Sequence, residues 1–118
     1  MESEDAILAL AALAQSTRLE AFRLIVKHEP DGVPAGEIAR QLAVPHNTMS
    51  AHLNVLSRAG LVRSERQSRS IIYRADLGHF CKAMTFLLRD GCGGHPEVCA
   101  PLIDVLTPCC LPKEKADG

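Results

Sequence analysis

The sequence has no tryptophan, no Cys-x-x-Cys, and no apolar run approaching the ~18 residues that a transmembrane helix needs. The missing apolar run excludes a membrane span and leaves a soluble, globular chain. Without Cys-x-x-Cys, its usual strand–turn–helix setting or a phosphate-type oxyanion loop, the sequence disfavours a small thiol-dependent reductase, which turnover with a thiol reductant would reveal, and no enzyme activity is expected. A basic leader is missing too. The N-terminus "MESEDAILALAALAQ" carries acidic charges and runs straight into periodic helix, which is not the build of a signal peptide. These absences place the chain in the cytoplasm, where thiols stay reduced. Four of the five cysteines lie beyond residue 90, which is not how a disulfide framework is distributed. At 118 residues the chain is small enough that pairing with a second copy would help it bury a core.

Net charge is near zero, but its distribution is uneven. Residues 58–74 hold Arg58, Arg63, Arg66, Arg69 and Arg74 against the single acid Glu65. A basic strip on a neutral chain suits a phosphate-contacting surface, although a solvated hairpin would carry the same charges.

Residues 5–14 form an Ala/Leu-rich helix with few charges, suited to burial against another chain. Thr17 and Glu20 have capping-box spacing, and Leu19, Phe22, Ile25 and Val26 then make an apolar face to about His28. "EPDGVP" (29–34) has turn composition. A short helix follows with Ile38, Ala39 and Leu42 inward, then a break at "AVPH". Met49, Leu53 and Leu56 repeat at i, i+4, i+7, a helical stripe ended by Gly60. The period then changes: "LVRSER" and "SIIYRAD", separated by "QSR", form a β-hairpin. Asp76 caps a helix with apolar face Leu77, Phe80, Cys81, Met84, Leu87 and Leu88, stopping at Gly91. Pro101 can start a last short helix before a charged tail. The expected order is α-α-α-α-β-β-α-α, mainly α with a small hairpin, without repeats or an internal linker.

Short helix, tight turn, second helix and basic hairpin make a winged helix-turn-helix, whose second helix enters the major groove of double-stranded DNA. Opposite its apolar stripe, residues 46–58 present His46, Asn47, Thr48, Ser50, Ala51, His52 and Asn54. The polar members can hydrogen-bond base edges and phosphates, and Ala51 can contact a thymine methyl. Asn47 and Thr48 have an alternative use as helix caps, and His52 can equally pack or meet a phosphate. The hairpin turn, with Arg66, Ser68 and Arg69, would lie against the DNA backbone or in the minor groove.

"QLAVPHNTMSAHLNVLSRAGLVRSERQSRSIIYRAD" resembles the recognition helix and wing of the ArsR/SmtB repressors, the bacterial sensors of metals and metalloids, and the resemblance extends over roughly residues 5–90. It implies a winged-helix DNA-binding and dimerisation domain over 1–90, with a cysteine-containing inducer-binding segment and tail over 91–118. It implies a homodimer paired through residues near 5–14 and 77–90, bound to a near-palindromic operator and released by an inducer. Ser68 stands where wings of this family usually have glycine. Two inducer sites of the family are missing: "PAGEIARQLAV" has no cysteine, and His79 is one position out of register for the Asp-x-His zinc pattern, leaving it as an exposed polar residue at the top of its helix.

The stretch "GCGGHPEVC" (91–99) resembles the cysteine segment of arsenite-responsive members, with Gly91 where that subgroup often has a further cysteine. Trivalent arsenic is soft and takes thiolate sulfur in a three-sulfur pyramid. Cys92 and Cys99 lie on a Gly-Gly-x-Pro bend able to bring them together, and the third ligand is Cys109 or Cys110. Cys81 is set aside: it precedes Cys92 by eleven residues, roughly 16 Å of helix, and acts as a small hydrophobe on an apolar stripe. Arsenite, methylarsenite and antimonite all suit such thiols; methylarsenite needs only two. His95 is a further nitrogen donor for zinc. The alternative is a thiol-redox or reactive-sulfur sensor built on Cys92 and Cys99.

Overall fold

Three small apolar faces, none large enough to form a core alone, decide how the helices settle. The computed structural model of the chain describes residues 2–91. In chain order these form α1 (Ser3–Leu13), α2 (Ser16–Lys27), β1 (Val33–Pro34), α3 (Ala35–Leu42), α4 (His46–Arg58), β2 (Val62–Gln67), β3 (Ser70–Ala75) and α5 (Leu77–Gly91). Phe22 and Ile25 of α2, Ile38 and Ala39 of α3, and Met49, Leu53 and Leu56 of α4 meet in one buried cluster, closed below by Leu61 and Val62. Each large aliphatic side chain so buried contributes about 1.5–3 kcal/mol. The Phe80 ring of α5 joins the cluster by tilting against Phe22, with centroids 5.5 Å apart.

The expected hairpin is present as β2 and β3, but a third strand joins it. Val33 pairs with Tyr73 and Pro34 with Ile72, so the antiparallel sheet runs β1-β3-β2. The stretch 29–34 was expected to be a turn throughout; two of its residues are strand. Proline is tolerated there because β1 is an edge strand. The sheet is tied to the preceding turn: Glu29 Oε2 accepts the Ala75 N–H at 2.6 Å, and Arg74 Nε donates to Pro30 O at 3.1 Å. The expected final helix after Pro101 lies outside the described residues.

Three local expectations change. The N-cap of α2 is Gln15, whose Oε1 accepts from the Arg18 N–H at 2.8 Å, rather than Thr17, which lies inside the helix. Leu19 and Leu87, placed on inward faces, are 43% and 47% exposed, while the small Ala21 and Ala83 are buried in their stead. His79 is half-buried rather than exposed, and its Nε2 is closed off without a hydrogen-bond partner. Asp76 does cap α5, its Oδ1 accepting the His79 N–H at 3.0 Å.

The end of α4 shows why a glycine follows it. Gly60 N–H donates to Ser57 O and Leu61 N–H to Leu56 O, the paired bonds of a Schellman motif, with Gly60 at φ 81°. A Cβ at this position would stand 2.8 Å from His79 Nε2. Gly60→Ala is therefore expected to lower stability by about 1–3 kcal/mol through left-handed strain, with the clash against His79 in addition; urea denaturation measures the loss. An unchanged midpoint would contradict this left-handed turn and the approach of Gly60 to His79.

Candidate nucleic-acid interface

With Met49, Leu53 and Leu56 fixed inward, most of the remaining face of α4 is open to solvent. His46, Asn47, Thr48, Ser50, Ala51 and Asn54 are all exposed, as is Arg58 at the C-terminal end. Pro45 is the N-cap residue and no side chain caps the helix, so Asn47 and Thr48 are not committed to that role and the first-turn amides stay open. Val55, 39% exposed, lies on the same helix and offers a second apolar contact beside Ala51. Sequence reading missed it because an isolated valine on a helix carries no signal of its exposure.

His52 differs from its neighbours. It is half-buried, and its Nδ1 stands 3.4 Å from Arg18 Nη1 of α2. Of the residues named from the sequence for DNA contact, it is the one in α4 that another helix holds.

The wing places its basic residues beside this face. Arg66, Ser68 and Arg69 are exposed at the tip, where the Gln67–Ser70 pair closes a two-residue turn. Ser68 sits at φ 57°, the left-handed region that favours glycine, so serine here carries backbone strain that glycine would not. Arg74 is not available to a ligand: it is ion-paired with Glu65 and bonded to Pro30 O. Arg58, Arg63, Arg66 and Arg69 remain exposed, so the unpaired positive charge lies toward the tip and the end of α4. On α3, Arg40 is likewise ion-paired, with Glu37, whose carboxyl is lowered to about 2 by hydrogen bonds from Arg40 and Gln41.

Between helix and wing lies a cleft of about 320 Å³, lined by Pro34, Gly36, His46, Ser50, Arg69, Ile71 and Tyr73 among others. It brings the beginning of α4 and the wing arginine to one concave surface. Burial pushes the Tyr73 phenol up from its ordinary value, which keeps its hydroxyl a donor. Donors, a cation and an open helix start around one hollow suit an anionic backbone.

A helix-turn-helix domain family matches residues 13–65. An ArsR-like transcriptional regulator from Rhodococcus sp. RHA1 superposes with a TM-score of 0.70 at 29% identity, covering 82% of this chain and 89% of that one. The chain has a winged helix-turn-helix fold. NolR from Sinorhizobium fredii shares the winged helix at 26% identity and a TM-score of 0.57, covering 81% of this chain and 85% of its own. The transcriptional activator HlyU of Vibrio cholerae is 28% identical over 71 residues, which is 60% of this chain and 63% of that protein, less than two thirds of its length. The structural neighbours of this winged helix are thus ArsR-like regulators.

Cys92, Cys99, Cys109 and Cys110, named as metalloid ligands, lie outside the described residues. Among the described residues, no group of three His, Cys, Asp or Glu side chains could hold a metal, and no helix is long and apolar enough to cross a membrane. Cys81 is fully buried, as its place on the apolar stripe suggests, but it is also disulfide-bonded.

If the wing meets phosphate, Arg69→Ala should weaken binding to any duplex to a similar extent and reduce the slope of log K against log salt by about 1. Anisotropy titrations at several salt concentrations check this, and an unchanged slope would remove Arg69 from the contact set.

Proposed function

We propose that the chain is an ArsR-like transcriptional repressor that binds double-stranded operator DNA as a homodimer and is released when trivalent arsenic or antimony binds its C-terminal thiolates. The observation that carries the DNA reading is the uncommitted polar face of α4 beside exposed wing arginines across an open cleft.

The dimer reading is supported by the way α1 distributes its side chains. Ala6, Ala9 and Ala12 face the core of the same chain, while the larger Ile7, Leu8 and Leu10 are 61%, 54% and 38% exposed. Leu87 of α5, which packs beside α1, adds to that apolar surface. Large side chains outward and small ones inward is an inversion that a second copy would correct. Leu8→Glu is expected to shift the chain to monomer in sedimentation and to weaken operator binding by more than tenfold, since the second half-site is lost.

The inducer reading is supported by the chemistry of the donor set. Cys92 and Cys99 offer soft thiolates on a bend that the Gly-Gly-x-Pro sequence permits, and Cys109 or Cys110 can complete three sulfurs. Ordering this segment just after α5, one of the two proposed dimer helices, would act on operator binding to the extent that the ion prefers one arrangement of the dimer.

One observation favours a second reading, in which the signal is thiol oxidation. Cys81 is disulfide-bonded, and every other cysteine of the chain lies beyond residue 91. An oxidant that forms such a bond would fix the C-terminal segment to α5 without any metalloid. Anisotropy of the reduced protein on a fragment of its own promoter separates the two. Arsenite is expected to release the wild type, and Cys92→Ser and Cys99→Ser are expected to abolish that release. Release by peroxide alone, lost in Cys81→Ser, would replace the metalloid by a redox signal on the same DNA-binding protein.

A further inference from the structure

Arg18 occupies the first turn of α2, far in sequence from every residue named for DNA contact. Its guanidinium joins two elements. Nε donates to Ala12 O at 2.7 Å, Nη2 reaches Ala11 O at 3.5 Å, and Nη1 stands 3.4 Å from His52 Nδ1. Ala11 and Ala12 belong to the last turn of α1, where carbonyls run out of intrahelical partners and the helix dipole is negative. That turn has no basic residue of its own, so the cation it needs comes from α2.

The contact with His52 has a chemical consequence. A guanidinium has only donors, so Nδ1 must present its lone pair and the ring hydrogen sits on Nε2. Nε2 has no hydrogen bond among the described residues and is not closed off from solvent. We propose that Arg18 is a positioning residue for DNA recognition: it sets His52 as an Nε2–H donor on the recognition helix and ties that donor to the end of α1. This rests on the DNA reading above. A donor there takes a phosphate oxygen or a base-edge acceptor such as guanine N7, O6 or thymine O4, and rejects the amino groups of cytosine and adenine. The opposite tautomer would invert that preference. Because one guanidinium holds both partners, the seating of α1 and the presentation of His52 are coupled.

Two arms test this. Ring-nitrogen NMR of histidine-labelled protein, without DNA, is expected to show His52 as the Nε2–H form with Nδ1 accepting a hydrogen bond. In Arg18→Met its ring nitrogens should move to the averaged values of a solvent-exposed histidine. The same shifts in both proteins would overturn the proposal. In the second arm, wild type, Arg18→Met, His52→Ala and the double variant are titrated on a duplex of the protein's own promoter and on a scrambled duplex. Each single variant is expected to weaken promoter binding about five- to tenfold, and the double variant no more than the weaker single. A narrower promoter-to-scrambled ratio in His52→Ala assigns the acceptor to a base, and an equal loss on both duplexes assigns it to a phosphate. Additive losses with a binding-competent wild type would overturn the Arg18 role alone. Failure of the wild type to bind either duplex would overturn the DNA reading first, and this role with it. Should Arg18→Met fail to fold, Arg18→Lys takes its place in the cycle, since it keeps a cation near α1 but cannot bridge all three acceptors.

Discussion

Everything about this winged helix depends on the inward pull of three side chains on α4. Met49, Leu53 and Leu56 are essentially inaccessible to solvent, and their i, i+4, i+7 spacing fixes the rotation of the helix about its axis. Once that rotation is fixed, the polar residues between them have no choice of direction. Rotating α4 by a quarter turn would bury Asn47 or Asn54 without partners and expose leucine, a cost of several kcal/mol in both terms. The recognition face is therefore a by-product of core packing, and its orientation is as firm as the core itself.

The wing depends on a different constraint. Its strands have few inward residues, so register and position are set at the base by Val62 and Ala75, by the Ala75 N–H donated to Glu29 Oε2, and by the Arg74 Nε–H donated to Pro30 O. Arg74 and Glu65 spend their charges on each other there, which leaves the tip cations to solvent or to a ligand. A hairpin anchored at one end and charged at the other suits contact with a backbone, where phosphate contacts position a protein and base contacts specify a sequence.

The helices and the hairpin were legible from periodicity because strong patterns coincide with strong burial: α4 runs over His46–Arg58 as its stripe and breaks indicate. The β1 strand was not, because two residues of extended chain in a proline- and glycine-rich turn carry no period, and only pairing with β3 makes them a strand. Leu19 and Leu87 were placed inward by a rule that ranks leucine above alanine, whereas close approach of elements selected Ala21 and Ala83. The exposed face of α4 was legible residue by residue, except where long-range contact intervened: Arg18 meets His52 across 34 positions, and no local pattern announces such a pair. Cys92, Cys99, Cys109 and Cys110 lie outside the described residues, so the sulfur reading rests on the sequence alone.

Amide chemical-shift mapping of the labelled protein against a duplex from its own promoter tests the DNA role of this face most directly. The largest changes are expected on residues 46–58 and 66–69, with His52 and Arg18 moving together and the outward side of α1 unaffected. Changes concentrated on α1 and α5, or none at all at saturating DNA, would contradict a nucleic-acid role for this face.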